Sequence, residues 1–492
     1  MSRRGQDGRP GELPVAVGDP PGRTVASHGQ RQTDFAYQAV YRYLTHLIAE
    51  LGGDCRVRLP SLRQLAERLD VSISTIQYAY SLLEKEGRVY SVAKSGYYAL
   101  PVASASVINN GSDLLESLYS GARRPGTLVL SADDPASLQP LDSPLLLLER
   151  ELVRQYPRQP QSPPQPCGEH ELRAALAARY TRSAARYWQA DDVYVGADLR
   201  GVLEMLIAVL NLKGATVLVE SPCDWSILRL LQAADVQVIE VPLQADGGLD
   251  LEVLAQALID PAVRLAIVSS GLSMPRGSLI PEDNRRDTAL LLQQHDCWVL
   301  ENDSYGDLGF EPDALRFRDV LDPDRLIVFS TFEKVMGPEA PHGYLLTRQL
   351  RSEFQRHFLL RAFRLSPIRQ KAVARLYASG RFDQHLHVLR RLLKERKMLM
   401  SQALQERLGE ALHVVESQGG ATLWARCRRQ VDMRRVFQRL LKQHVVIAPG
   451  ELFSLHGLHG QCLRLNHSFS GHHDLGAALG LLSDALRLEQ LD

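Results

Sequence analysis

Residues 58–100 read RLPSLRQLAERLDVSISTIQYAYSLLEKEGRVYSVAKSGYYAL, and this stretch decides the fold of the N-terminal part of the chain. The hydroxyl of Ser61 is a good helix N-cap, and the apolar residues after it are spaced as one face of a helix. A tight turn follows at Asp70, and Ser72 caps a second helix that Gly87 ends. The stretch therefore predicts two helices that cross at a short turn.

The residues on either side of these helices complete a small domain. A helical pattern covers about residues 34–51, while Val89–Val92 and Tyr97–Leu100 predict two short strands around Ala93–Gly96. Two helices at a short turn followed by a hairpin form a winged helix-turn-helix, whose second helix lies in the major groove of DNA. Double-stranded DNA is therefore the predicted partner.

The side chains at the start of the second helix are the ones that such a domain brings to base edges. Hydroxyl groups can bond phosphates or bases, Gln can pair with adenine through two hydrogen bonds, and basic side chains hold the phosphate backbone. The alternative is a helical hairpin that serves only dimer packing. The predicted DNA-binding residues are Arg58, Ser61, Arg63, Ser72, Ser74, Thr75, Gln77 and Lys94.

The composition of the whole chain limits the classes of protein that it can represent. A length of 492 residues indicates two or three domains, and a net charge of zero requires any DNA-binding surface to be a local patch. No apolar run is long enough to span a membrane, and Arg3 and Arg4 are not followed by the apolar stretch of a signal peptide. The six cysteines contain no CxxC pair, which indicates reduced thiols in a cytoplasmic protein without a metal site.

Changes in composition divide the chain into four parts. Residues 1–32 are rich in Gly, Pro, Arg and Gln and predict a disordered arm, with contact to DNA phosphates as the alternative. Residues 33–101 form the winged helix-turn-helix, and residues 102–125 predict a linker with room for one short helix. In residues 126–489, runs typical of strands alternate with helical runs, which predicts a mostly parallel sheet with helices on both faces.

Nine short apolar runs in this larger part predict its strands. The last three follow a long helical stretch and predict a smaller α+β lobe at the C-terminal end. The runs are TVLVE (216–220), VQVIEV (236–241), LAIVSS (265–270), CWVLEN (297–302), RLIVFS (325–330), GYLL (343–346), ATLWARC (421–427), HVVIAP (444–449) and CLRLNHS (462–468).

Residues 34–100 resemble the GntR family of winged-helix regulators, through RLPSLRQLAERLDVS, AYSLLEKEG and SGYY. The family often has Arg directly after the Ser of its "VS" pair, where this chain has Ile73. The departure removes one expected contact to the groove or the phosphates.

The rest of the chain resembles fold type I pyridoxal-phosphate enzymes, and the combination resembles the MocR subfamily of GntR regulators. The resemblance covers about residues 140–488. The matching segments are Gly168 with Leu172-Arg173, Glu220-Ser221-Pro222, ENDSYGDL (301–308), STFEK (330–334), Pro449-Gly450 with Phe453, and Leu463-Arg464-Leu465-Asn466.

This resemblance implies a cofactor site and assigns roles to its residues. It places Lys334 at the position of the imine, where it would also be the catalytic residue of an active enzyme. It places Tyr305 at the ring oxygen, Thr331 at the phosphate and Asn302 opposite the pyridine nitrogen. Arg464 matches the arginine that grips an amino-acid carboxylate.

Four of the implied positions depart from the family pattern. Asn302 replaces the pyridine-facing Asp, and Asp224 replaces the stacking aromatic, although Trp225 is adjacent. Met274 replaces the Asn of "NPxG", and Pro341 replaces the phosphate Arg, which leaves His342 as the nearest substitute. An amide cannot supply the negative charge that keeps the pyridine nitrogen protonated, so these departures predict weak cofactor binding and poor transamination.

The sequence therefore predicts a homodimeric DNA-binding regulator whose aminotransferase-like domain senses a small molecule and holds two chains together. The resemblance implies a head-to-tail dimer and an effector similar to an amino acid or to pyridoxal phosphate. Two alternatives remain open from the residues alone: a regulator that forms the Lys334 imine with pyridoxal phosphate, and a working aminotransferase with a DNA-binding appendage.

Overall fold

The computed structural model describes residues 40–41, 43–44, 47–48, 59–85, 89–92, 96–99, 114–155, 165–259, 263–295, 297–311, 315–469 and 474–491. The chain divides into two compact units, Met1–Gly111 and Ser112–Asp492. The predicted arm over residues 1–32 and the predicted DNA contacts Arg58 and Lys94 lie outside the described residues.

The first unit is the predicted helix-turn-helix with a hairpin. The turn between its helices places Asp70 in the left-handed region, with φ at 50°. The apolar faces of both helices pack with Val40 and Leu44, which are helical residues that precede them. The elements are α1 (Leu62–Leu69), α2 (Ile73–Lys85), β1 (Val89–Val92) and β2 (Gly96–Ala99), and the two strands pair antiparallel.

A buried tyrosine fixes α2 to the rest of this unit. The Tyr80 hydroxyl donates to the Pro60 carbonyl at 2.7 Å, and its ring stacks on Tyr97 of β2 with 4.3 Å between the ring centroids. The Leu59 amide donates to the Tyr97 carbonyl at 2.9 Å. Burial raises the pKa of Tyr80, so the hydroxyl remains a donor at physiological pH.

The second unit is built on a seven-stranded sheet in the order β4-β12-β11-β10-β7-β5-β6. All its pairs are parallel except those that β12 makes with β11 and β4, so the predicted mostly parallel sheet is confirmed. Its strands are β4 (Val193–Val195), β5 (Thr216–Ser221), β6 (Gln237–Pro242), β7 (Val263–Ser269), β10 (Trp298–Asn302), β11 (Leu326–Thr331) and β12 (Gly343–Leu346).

Alternate residues of the central strands enter two separate apolar clusters, one on each face of the sheet. In β5, Leu218 enters one cluster while Val217 and Val219 enter the other. The helices around the sheet are α4 (Asp142–Gln155), α5 (His170–Tyr180), α6 (Leu199–Val209), α7 (Trp225–Ala233), α8 (Leu251–Leu258), α9 (Glu282–Gln294), α10 (Phe317–Val320), α11 (Glu333–Met336), α12 (Arg351–Arg361) and α13 (Pro367–Ala378). The short strands β8 (Leu272–Ser273) and β9 (Ser278–Leu279) form a hairpin beside them.

The predicted smaller lobe has its own four-stranded sheet in the order β13-β14-β17-β16. The long helix α14 (Arg381–Leu408) leads into it, and its apolar cluster is separate from those of the large sheet. Its elements are β13 (Leu412–Val414), β14 (Thr422–Cys427), α15 (Met433–Lys442), β15 (Val445–Val446), β16 (Ala448–Pro449), β17 (Cys462–Asn466) and α16 (Leu475–Leu488).

The segment at the start of the second unit belongs to this lobe. Helix α3 (Leu114–Ala122) buries Leu118 in the lobe's apolar cluster, and β3 (Leu128–Val129) pairs parallel with β15. The sequence left room for one short helix within the predicted linker over residues 102–125, and α3 is such a helix. The small and polar residues of this stretch give no sequence signal for the packing of α3, because that packing depends on residues far away in the sequence.

Among the described helices, none is long and apolar enough to cross a lipid bilayer.

Candidate functional site

A cavity of about 560 Å³ lies where the carboxyl ends of β10 and β11 meet the smaller lobe. Parallel strands end at one edge of their sheet, which is where ligands bind in open α/β folds. The structure brings all five residues of the predicted cofactor and effector site to its walls. They are Asn302, Tyr305, Thr331, Lys334 and Arg464.

The four departures from the family pattern do not all lie at this cavity. Asp224, Trp225 and Pro341 line it. Met274 is buried in the main apolar cluster instead, against the small-lobe residue Gly420. His342, the nearest substitute for a phosphate-binding arginine, is also buried away from the walls, and burial lowers its pKa. A neutral imidazole is a weak replacement for a guanidinium.

Asp133 is a central residue of the cavity that the sequence analysis did not identify. Its carboxylate accepts a hydrogen bond from the Tyr305 hydroxyl and lies 3.5 Å from Arg464 Nη1 and 3.7 Å from Lys334 Nζ. Lys334 Nζ also donates to the Asp133 carbonyl at 2.6 Å. We call Asp133, Tyr305, Lys334 and Arg464 the Asp133 group.

The electrostatics of the Asp133 group favour the ionised carboxylate. Burial alone would raise the pKa of Asp133, but Lys334 and Arg464 hold it below its ordinary value. Burial and the neighbouring Asp133 raise the pKa of Tyr305 well above its usual range. Tyr305 therefore remains a hydroxyl donor and Asp133 an acceptor.

Packing around Arg464 holds its guanidinium in place. The group lies over the Trp225 ring, 4.5 Å from its centroid, and 5.0 Å from the Phe453 centroid. It also donates to the Ser131 carbonyl. A guanidinium stacked on aromatic rings and paired with a carboxylate has little freedom to move.

A second acidic residue lies at the wall formed by helix α6. Asp198 caps this helix, and its Oδ1 accepts a hydrogen bond from the Gly201 amide at 2.7 Å. Asp198 and Leu199, the cap and the first residue of α6, both line the cavity. A helix N-terminus is a good site for a phosphate, but here a carboxylate already occupies it.

At the end of β10, the side chains of the consecutive residues Asn302 and Asp303 have different surroundings. Asn302 lines the cavity, and its Oδ1 accepts a hydrogen bond from the Ser304 amide at 3.1 Å. Asp303 is instead bonded to the Tyr180 hydroxyl at 2.6 Å and paired with Arg318 at 3.2 Å. Asp303 is therefore not available to replace the missing carboxylate at the position of Asn302.

Several side chains that the family pattern assigns to pyridoxal phosphate already have partners within the chain. Lys334 is already paired with Asp133, and Thr331 uses its hydroxyl to accept from the Glu333 amide at 3.2 Å. The wall that would hold the phosphate presents the carboxylate of Asp198 and the uncharged Pro341. A dianionic phosphate would meet repulsion from Asp198 there, and Arg200 is the one guanidinium outside the Asp133 group among the described residues that line the cavity.

The predicted DNA-binding surface is a separate site on the first unit. Arg63, Ser72, Ser74 and Gln77 are exposed, and Thr75 is half-buried. Ser72 Oγ lies 2.8 Å from Ser74 Oγ and 2.7 Å from Thr75 Oγ1, so the three hydroxyls form one polar cluster at the start of α2.

Three other residues of this surface have features that the sequence did not predict. Ser61 forms a reciprocal capping box with Gln64, so its hydroxyl already accepts from a backbone amide. Ile73 and Tyr78 are large apolar side chains of α2 that remain about half exposed. Exposed apolar side chains beside hydroxyl groups are suited to thymine methyl groups in a major groove.

No sequence signal pointed to Asp133 or Asp198. Asp133 lies between β3 and α4 without periodicity, and its partner Arg464 is 331 residues away along the chain. Asp198 looks like an ordinary helix cap. Only the position of both carboxylates at the edge of the sheet makes them notable.

Comparisons with known proteins agree with both units. The profile of the family "Aminotransferase class I and II" matches residues 161–473, which is more than half of the chain. The profile "Bacterial regulatory proteins, gntR family" matches residues 36–98. The fold classes predicted for the two parts are therefore confirmed.

Curated relatives share the complete arrangement of the two domains. The chain is 27% identical over 449 residues to the uncharacterized HTH-type transcriptional regulator YjiR of Escherichia coli, covering 87% of this chain and 94% of YjiR. It is 25% identical over 408 residues to the probable rhizopine catabolism regulatory protein MocR of Rhizobium meliloti, covering 80% and 82% of the two chains.

Two solved structures that are similar to this chain are aminotransferases. The multiple substrate aminotransferase of Thermococcus profundus superposes with a TM-score of 0.69 at 18% identity, over 77% of this chain and 95% of the other. The α-aminoadipate aminotransferase LysN of Thermus thermophilus gives a TM-score of 0.67 at 20% identity, over 76% and 95%. At this identity the likeness shows the fold alone. The chain belongs to the aminotransferase class I and II family, and the gntR-family domain in front gives it the architecture of the MocR-like HTH-type transcription regulators.

Proposed function

We propose that this protein is a cytoplasmic DNA-binding transcription regulator whose aminotransferase-like domain senses a small molecule and holds two chains together, without transaminase turnover. The observation that carries the DNA-binding role is the exposed face of α2. Ser72, Ser74 and Gln77 are exposed there at the start of the second helix of a winged helix-turn-helix. In this fold that part of the helix contacts base edges.

The proposed sensing role rests on the cavity and on the contribution of helix α3 to its walls. Leu118, Tyr119 and Ala122 of α3 line the cavity, and α3 follows the end of the first unit at Gly111 by only a few residues. A ligand in the cavity therefore contacts the first helix of the second unit. It would change DNA binding only if it binds one arrangement of the chain more tightly than another.

The absence of turnover rests on the contacts of Lys334 and Asn302. Transamination requires a free lysine amine and a charged partner for the pyridine nitrogen. Lys334 is paired with Asp133, and Asn302 supplies an uncharged amide. Both features argue against the two enzyme-like alternatives.

The proposed homodimer rests on apolar side chains that a single chain leaves exposed. Leu147 of α4 is 61% exposed. Leu359 and Leu360, which are consecutive residues of α12, are 60% and 72% exposed. Two large apolar side chains exposed next to each other in sequence, as at Leu359 and Leu360, are a candidate for a surface that a partner covers. A two-fold dimer would present two DNA readers to two half-sites.

Selection from a random duplex library tests the DNA-binding role. Purified full-length protein is expected to enrich one sequence motif, repeated in two copies if the chain is a dimer. The variant Gln77→Ala is expected to enrich that motif less strongly. Recovery of an unenriched library by the wild-type protein would contradict the proposal.

Absorbance spectroscopy tests the proposed absence of turnover. An imine between Lys334 and pyridoxal phosphate would give a visible absorbance band that borohydride removes and that the variant Lys334→Ala lacks. Wild-type protein mixed with pyridoxal phosphate is expected to show no such band. It is also expected to transfer no amino group to a keto acid. A reducible band that depends on Lys334 would support a pyridoxal-phosphate regulator, and transfer would make the chain an enzyme.

A further inference from the structure

We propose that the cavity around Lys334 binds an organic amine that carries no carboxylate group, because Asp133 already occupies the carboxylate position at Arg464. This inference rests on the proposed sensing role of the cavity and names the chemical class of its ligand.

Three donors converge on the Asp133 carboxylate as they would on the carboxylate of a bound ligand. They are the Arg464 guanidinium at 3.5 Å, the Lys334 ammonium at 3.7 Å and the hydroxyl of Tyr305. The Asp133 side chain is only 7% exposed. A free carboxylate would have to displace it and leave its charge buried without partners, which is costly.

The Asp133 group also keeps unused hydrogen-bonding capacity. Among the described side chains, Asp133 Oδ1 and Arg464 Nε are buried and have no hydrogen-bond partner. Buried polar atoms in folded proteins nearly always have a partner, and an exception at a cavity points to a ligand that is missing. Of these two atoms, Asp133 Oδ1 is the acceptor, and an ammonium group of a ligand could donate to it.

The remaining charges of the cavity favour a cation. Outside the Asp133 group, the charged side chains among the described lining residues are Asp198, Asp224, Glu333 and Arg200. With the Asp133 group included, four carboxylates face three cationic groups among these lining residues, so the net charge of the cavity is negative and favours a cation over a phosphate or a carboxylate.

The apolar part of the walls suits the carbon chain of such an amine. Leu118, Ala122 and Ile227 line the cavity together with the Trp225 ring. A volume of about 560 Å³ accommodates a small metabolite. An alkyl amine would therefore place its ammonium groups at the carboxylates and its methylene groups against these side chains.

Isothermal titration of the full-length protein with two matched probes tests the inference. The probes are 1,4-diaminobutane and ornithine, which differ only in the carboxylate. Wild-type protein is expected to bind the diamine at least about tenfold more tightly than ornithine. In Asp133→Asn, Arg464 loses its internal partner, and the preference is expected to fall below about threefold because ornithine gains affinity.

Asp134→Asn is the matched control. Asp134 is the neighbouring acidic residue, and its charge also acts on Lys334, but it is not among the described residues that line the cavity. It therefore controls for the loss of a nearby charge without the loss of the carboxylate at Arg464. This variant is expected to keep the wild-type preference. If Asp133→Asn does not fold, Tyr305→Phe, which removes one donor to Asp133, is expected to shift the preference in the same direction.

Three results would overturn the inference: ornithine binding to the wild type as tightly as the diamine, binding of neither probe, or an equal effect of Asp133→Asn and Asp134→Asn. DNA binding measured on the same samples tests the proposed regulatory function independently of the ligand class. Intact sequence-specific DNA binding together with any of these results rejects only the ligand class.

Discussion

Gln77 and Arg63 are exposed side chains of neighbouring helices, and a DNA reader would use them in different ways. Gln77 can pair with an adenine, so Gln77→Ala is expected to cost about 1–3 kcal/mol on the preferred site and little on other DNA. Arg63 is predicted to contact the phosphate backbone, so Arg63→Ala is expected to weaken binding to all sequences and lower the salt slope by about one. Fluorescence anisotropy on matched and scrambled duplexes measures both effects. A uniform loss from Gln77→Ala would contradict its assignment to base recognition.

His467 gives a second prediction for a single side chain. It is 1% exposed, neither ring nitrogen has a hydrogen-bond partner among the described residues, and burial lowers its pKa to about 3. The unfolded chain binds a proton at this residue below about pH 6.5, whereas the folded chain does not. The folded state therefore loses stability as the pH falls from 6.5 towards 3, by about 2 kcal/mol at pH 5 from this residue.

The measurement for His467 is urea unfolding of wild-type protein and His467→Gln at pH 7 and pH 5. The loss of unfolding free energy between the two pH values is expected to be smaller in the variant, because glutamine does not titrate. Equal losses in both proteins would show that His467 takes up its proton in the folded state.

At the scale of elements, the N-terminus of α6 gives a prediction about anion binding. Asp198→Ser retains a helix cap but removes the carboxylate from the wall of the cavity. Two like charges about 4 Å apart repel by roughly 4 kcal/mol near a protein surface, and the helix terminus itself attracts phosphate. The affinity for pyridoxal phosphate in isothermal titration is thus expected to rise at least about tenfold.

Asp250→Ser is the matched control for this experiment. Asp250 caps α8 in the same way, through hydrogen bonds from the Glu252 and Val253 amides, but it does not line the cavity. It is expected to leave the affinity for pyridoxal phosphate unchanged. An increase of similar size in both variants would mean that Asp198 has no specific effect on the site.

The elements themselves could largely be predicted from the sequence, because most depend on local patterns. The alternation of apolar runs with helical stretches gives the strands of the large sheet, and β10 (Trp298–Asn302) agrees with its predicted run to one residue. The winged helix follows from the caps at Ser61 and Ser72 and from the hairpin after them. The packing of α3 could not be predicted, because it depends on residues of the smaller lobe more than 300 positions away.

The site was predicted less completely than the fold. Lys334, Tyr305 and Arg464 could be named from the sequence because they match a family pattern, and all three line one cavity. Asp133 matches no pattern, and only the folded chain brings it to Arg464 across 331 residues. A carboxylate that replaces a ligand leaves no periodic signal in the sequence, so such a residue becomes visible only through its contacts.

At the scale of the whole molecule, the account predicts a dimer. Sedimentation equilibrium of the full-length protein is expected to give the mass of two chains of 54.9 kDa. The apolar residues Leu359 and Leu360, which one chain leaves exposed, would then be covered at least in part. A monomer at micromolar concentration would contradict the proposed pair of DNA readers.

The central claim is that α2 recognises duplex DNA and that the larger domain serves this function. Fluorescence anisotropy of the full-length protein on a selected duplex, at increasing salt and with heparin as competitor, tests the claim most directly. The account predicts an affinity that falls linearly with the logarithm of salt concentration and a preference over scrambled DNA of at least about 10³-fold. Equal affinity for the selected duplex, the scrambled duplex and heparin would contradict it.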